Sequence, residues 1–155
     1  MSLPAKARRL PGRLATGAYI LNAGLSKWNG DEAQAKGLHG MASGAYPFLR
    51  SVEPKKFLKL LAAGEIATGA TLLTPFVPAV LAGAVLTAFS GSLLTLYLRT
   101  PALRRPGSIR PSQAGIAVSK DIWMLGIGVG LLADALTADL STPRPRADDD
   151  EDRAA

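Results

Sequence analysis

The chain has 155 residues, a length that suits one domain, with 48% apolar residues and a formal net charge of +6. It contains no cysteine and one histidine, His39, which excludes disulfides, thiolate nucleophiles, iron–sulfur ligation and a multi-histidine metal or haem site within the chain. The basic excess does not mark a nucleic-acid binder: no zinc finger or RNA motif accompanies it, and Arg8, Arg9, Arg13, Lys55, Lys56, Lys59, Arg99, Arg104, Arg105 and Arg110 flank apolar segments, where such residues meet anionic headgroups.

The first segment, residues 1–12, is basic and carries no acid, and Pro4 and Pro11 are expected to prevent an early helix. A helix then runs from Arg13 to Trp28; its apolar core, Leu14 to Leu25, is short for a membrane span and is extended by snorkelling of Arg13 and Lys27, with Trp28 at the headgroup level. A basic start followed by LATGAYILNAGL has the outline of a signal peptide, but no small-residue cleavage site follows promptly, so a retained helix is expected. Residues 29–56 are too polar to span. A short interfacial helix is expected over Asp31 to Met41, capped by Asp31 or Asn29, with His39 in a loop-like GLHGM setting as a solvated or capping residue.

From Leu60 to Leu98 there are 39 residues with one charge, Glu65, and no stripe of charge at a period of 3.6 of the kind a water-facing helix shows. That length is about twice what one crossing needs, so it divides into Phe57–Thr74 and Ala79–Leu98, joined by an uncharged hairpin at Pro75–Pro78. Gly83, Gly91, Ala84, Ala88, Ser90 and Ser92 offer small contacts for close helix approach. Residues 99–114 form an exposed basic loop, and a fourth span follows over Gly115–Leu136, with Gly126, Gly128 and Gly130 suited to a pressed backbone. The stretch LGIGVG lacks the preceding strand of a dinucleotide turn. Residues 139–155 read as a disordered acidic tail. The expected fold class is therefore all-α: a polytopic four-transmembrane-helix bundle over residues 13–138, with both termini on the same side of a bacterial cell membrane. Lys and Arg lean weakly toward placing the termini outside, but the two loops that carry them are long enough to blunt the rule, so the orientation is left open.

No phosphate loop, zincin motif or nucleophile elbow is present, and no catalytic or metal-ligating residue is assigned. What remains are polar groups within or at the ends of apolar helices: Asn22, Lys27, Glu65, Lys120, Asp121 and Asp134. Glu65 lies about 12 Å along the helix axis from Phe57. A lipid-facing carboxylate is costly, so Glu65 is expected to face the bundle interior and to pair with Lys27 or Lys120, or to stay protonated and hydrogen-bonded. Lys120 and Asp121 are consecutive and project differently, so at most one faces the bundle, while Asp134 is expected at the headgroups.

A first helix ending in GLSKW (24–28), a glycine-bearing linker with YPF (46–48), AAGEIATGATLL (62–73), a proline hairpin and a last helix opening SKDIWMLG (119–126) together resemble the DoxX family of small four-helix bacterial membrane proteins. The resemblance covers roughly residues 13–138 and implies a membrane bundle. That family is named for similarity to a membrane subunit linked to thiosulfate:quinone oxidoreduction; some members are associated with redox partners and most have no established activity. By position, Lys27, Glu65, Lys120 and Asp121 match its recurrent polar sites, none of them an established catalytic residue. The absence of cysteine departs from any thiol-relay role. Three functions follow as expectations, in this order: an accessory or scaffold subunit of a membrane redox or envelope complex, with the bilayer and other membrane or redox subunits as partners; an oxidoreductase component binding a quinone or another small lipid near Glu65; and a small proton-linked transporter. A quinone is the only cofactor these readings admit.

Overall fold

The computed structural model describes residues 5–140, and within them the chain is helical, with one isolated β-bridge between Arg104 and Pro111. Six helices follow in order: α1 (Ala5–Trp28), α2 (Glu32–Ala45), α3 (Pro54–Leu73), α4 (Ala79–Arg99), the single turn α5 (Ile116–Ser119) and α6 (Ile122–Leu140), with 3₁₀ turns at Pro47–Ser51 and Pro101–Leu103. The acidic tail from residue 141 onward lies outside the described residues; its first two positions, 139 and 140, belong to α6.

The expected hairpin is present. α3 ends at Leu73 and α4 begins at Ala79, because Pro75 and Pro78 lack the N–H groups that would continue a helix. Asp31 caps α2, its side chain accepting from the backbone N–H of Gln34 at 2.8 Å, and α2 runs four residues beyond the expected Met41. His39 is therefore helical rather than in a loop, and half-buried: its Nε2 donates to the Leu49 carbonyl at 2.9 Å and its ring meets Phe57 edge-on.

α1 corrects the expected boundary. It begins at Ala5 and carries Pro11 inside it. An interior proline costs roughly 3 kcal/mol; Arg8 and Arg9, in the turn before the proline, pair with Asp134 of α6, which offsets part of that cost. The fourth span is also interrupted. Lys120 and Asp121 separate α5 from α6, and the backbone tightens there, with the Asp121 and Trp123 N–H groups donating three residues back to Val118 and Lys120.

Among the described residues two helical stretches are long and apolar enough to cross a membrane, Ala79–Arg99 and Ile116–Thr137. The four apolar stretches expected to span thus divide in two. α1 is loaded with Arg8, Arg9, Arg13 and Lys27, and α3 with Lys55, Lys56, Lys59 and Glu65.

Packing is pairwise: α1 lies along α3, α4 along α6, and α2 rests on α3 and α4. Glycine sets both close approaches. A Cβ at Gly69 of α3 would stand 2.6 Å from the Leu21 backbone N, and one at Gly128 of α6 would stand 2.9 Å from the Thr87 backbone N. Gly91, Gly126 and Gly130, also expected to be pressed against a neighbour, face open space. Ile20, Leu72, Ala82, Leu86 and Leu131 form the core where the pairs meet, and a second cluster of Ala42, Ala45, Leu96, Tyr97 and Leu103 lies toward the long loops. The basic loop is folded: Leu103 is buried, Tyr97 donates its hydroxyl to the Ile109 carbonyl at 2.6 Å, and Gly107 turns the chain at φ 67° while Arg105 and Arg110 stay exposed.

Candidate polar site inside the bundle

The site begins with Gly24. A Cβ there would lie 2.9 Å from the Ala62 carbonyl oxygen and 2.9 Å from the Glu65 Cβ, so only glycine lets α1 lie this close to α3. One turn further on, Lys27 reaches across and its Nζ donates to Glu65 Oε1 at 2.9 Å and to the Ala23 carbonyl at 3.3 Å. Glu65, Thr68, Gly69 and Leu72 share the buried face of α3, spaced as helical neighbours require. Glu65 is 7% exposed, and among the described residues its Oε2 is buried without a hydrogen-bond partner.

Asp121 completes the cluster. The α5–α6 break leaves it half-buried, within Coulombic range of both Glu65 and Lys27. The site thus gathers two carboxyl groups and one ammonium from three elements. Lys120 and Asn22 do not join it: both are exposed, so of the two lysines considered for Glu65 the partner is Lys27.

Two further constellations escaped the sequence reading. Arg13, expected to snorkel to the headgroups, is buried at 8% exposure. Its guanidinium donates to the carbonyls of Leu72 (2.8 Å), Thr74 (2.7 Å), Thr71 (3.1 Å) and Val77 (3.1 Å). The last turn of α3 has no basic residue of its own, and Arg13 supplies from α1 both the donors and the positive charge that a helix C-terminus attracts. The available signal was a helix end without a capping glycine, TLLTPFVP.

Asp134, expected at the headgroups, is partly covered and held by two arginines. Arg8 Nε donates to its Oδ1 at 2.6 Å, Arg9 pairs with its Oδ2, and Arg9 Nη2 donates to its backbone carbonyl at 3.0 Å. The pair joins the start of α1 to α6 at the hairpin end of the molecule.

No protein-family model, no curated protein and no solved structure matches this chain. The DoxX resemblance therefore stands on the quoted motifs alone.

Proposed function

We propose that the chain is a four-span integral membrane protein acting as an accessory or scaffold subunit of a membrane redox or envelope complex, in the manner of the DoxX proteins it resembles. One observation carries this reading: the polarity of the helices is inside out. Tyr19 and Leu25 on α1, Leu60 on α3, Leu81 and Leu98 on α4, and Trp123 and Val129 on α6 are exposed, whereas Arg13, Lys27 and Glu65 turn inward. An apolar exterior around interior charge suits hydrocarbon and not water. In this setting α1 and α3 cross despite their charges, because each inward charge meets a partner: carbonyls for Arg13, a carboxylate for Lys27. Charges used to staple helices together describe a scaffold better than a reactive centre.

Purification from native membranes in mild detergent, with mass spectrometry of protein and lipid, tests the reading. A stoichiometric protein partner supports it. A second reading, a quinone- or small-lipid-binding component, is favoured by the unpartnered Glu65 Oε2 beside the Lys27 ammonium, a donor suited to a quinone carbonyl. Stoichiometric quinone in the extract without a partner protein would put that reading first.

A further inference from the structure

A groove of about 600 Å³ runs between α1 and the α3–α4 hairpin, lined by Leu10, Leu14, Leu73, Phe76 and Val77, with Arg9 at its edge. Its rim is apolar and open: Phe76 is 92% exposed, and Leu10 and Leu14 are about half exposed. A smaller groove between α1 and α6, floored by Ile127 and Leu131, also has Arg9 as a wall, together with Arg8. The arginine pair therefore stands where two apolar channels meet.

The charge there is not balanced. Among the residues whose side chains are described, Arg8, Arg9 and Arg13 face a single carboxylate, Asp134. Arg13 is committed to backbone carbonyls, but among the described residues Arg9 uses only Nε and Nη2, both on Asp134, which leaves Nη1 with both hydrogens, and the Arg8 side chain is 44% exposed. A guanidinium fork with free donors beside an apolar channel matches a phosphate that carries an acyl chain.

We propose that this end of the molecule binds one anionic phospholipid, its phosphate on Arg9 and Arg8 and an acyl chain along Leu10, Leu14 and Phe76. The proposal rests on the membrane reading above and adds a specific ligand class and site to it. Asp134 is then an internal competitor: its carboxylate holds the arginines in place and gives up part of their hydrogen bonding when the phosphate arrives.

The test uses the full chain in mild detergent, titrated with phosphatidylglycerol or phosphatidylcholine and read by native mass spectrometry and thermal melting. Wild type is expected to bind phosphatidylglycerol about tenfold more tightly than phosphatidylcholine, because basic side chains at the headgroup level attract anionic lipid. Arg9→Gln is expected to abolish the preference. Asp134→Asn keeps the shape and removes the competing charge, so it is expected to raise phosphatidylglycerol affinity; it keeps the proposal open to refutation should Arg9→Gln fold poorly. Equal binding of the two lipids by wild type, a lower phosphatidylglycerol affinity in Asp134→Asn, or an equal melting shift from inorganic phosphate alone would each overturn the site. Recovery of the chain in the soluble fraction before any lipid is added would instead remove the membrane reading beneath it.

Discussion

Arg13 offers the sharpest test of how this fold is held. Its guanidinium reaches four carbonyls at 2.7 to 3.1 Å across the end of α3 and the hairpin, from a position that is 8% exposed. Replacing it with methionine keeps most of the apolar stem and removes every donor. Each hydrogen bond is worth about 1 kcal/mol net, and somewhat more when the donor is charged. Loop water re-satisfies the outer carbonyls, of Thr74 and Val77, better than the inner pair, so we expect Arg13→Met to cost about 3 kcal/mol. Arg13→Lys keeps the charge but concentrates its donors on one nitrogen, which cannot span four acceptors, and should lose about half as much. Reversible unfolding in detergent, followed by helical circular dichroism, measures both. A methionine variant within about 0.5 kcal/mol of wild type, the range of an ordinary surface change, would refute the clip and return Arg13 to the headgroup role its position in the sequence suggests.

Other expectations follow from the same geometry. Glu65→Leu strands the Lys27 ammonium and should cost about 3 kcal/mol, while the double variant Lys27→Met/Glu65→Leu should recover most of that loss, because removing both partners of an inward ion pair is far cheaper than removing one; additive single effects in a double-mutant cycle would mean that the pair is incidental. Gly69→Val drives a Cβ into the Leu21 backbone and should destabilise by more than 2 kcal/mol, as overpacking at a backbone contact does, whereas Gly64→Ala on the open face of the same helix should be neutral or gain up to about 1 kcal/mol. The two are compared by the same unfolding measurement, and equal losses would show that the α1–α3 approach is not set by glycine. Single cysteines at Phe76 and Ser108, introduced into a chain that has none of its own, should react with an impermeant thiol label from opposite sides of the membrane; reaction from the same side would refute four spans.

What was legible in the sequence was what depends on one residue or a short run. Proline chemistry and the length of the apolar stretch placed the hairpin at 75–78, and a short acidic side chain before a helical pattern placed the cap at Asp31. Glu65 stood out as the only charge in its stretch, but its partner was open between Lys27 and Lys120, because the choice depends on how α1 is rotated against α3. The answer lay in Gly24, three residues before Lys27, where the helices come closest. Arg13 was misread for a different reason. Its acceptors are backbone carbonyls 58 to 64 positions away, and carbonyls carry no mark in a sequence. Pro11 and Asp134 failed together: local propensity argued for a break before α1, and the carboxylate that pairs with this part of the helix lies 125 residues downstream of Arg9. The interruption at Lys120–Asp121 had a polar dipeptide as its signal, which reads equally well as the ordinary opening turn of a helix.

The polar contacts divide into two kinds of joint. Within the α1–α3 pair, Arg13 ties one end and Lys27 the other, with Gly17, Gly24 and Gly69 bringing the backbones together between them. A pair fastened at both ends and close-packed in the middle has its register fixed, since a slide of one residue along the helix, about 1.5 Å, would break both fastenings at once. Between this pair and α4–α6 the joints are of another sort: Arg8 and Arg9 on a partly exposed Asp134 at the hairpin end, and through-space attraction and repulsion among Lys27, Glu65 and Asp121 at the other. Ion pairs that remain partly open to solvent are weak and exchange readily, and the apolar contact between the two pairs is sparser than that within them. The seam between the two helical pairs is therefore the less tightly joined interface of the molecule. The Lys27, Glu65 and Asp121 cluster lies at one end of that seam and the arginines proposed to hold a lipid phosphate at the other.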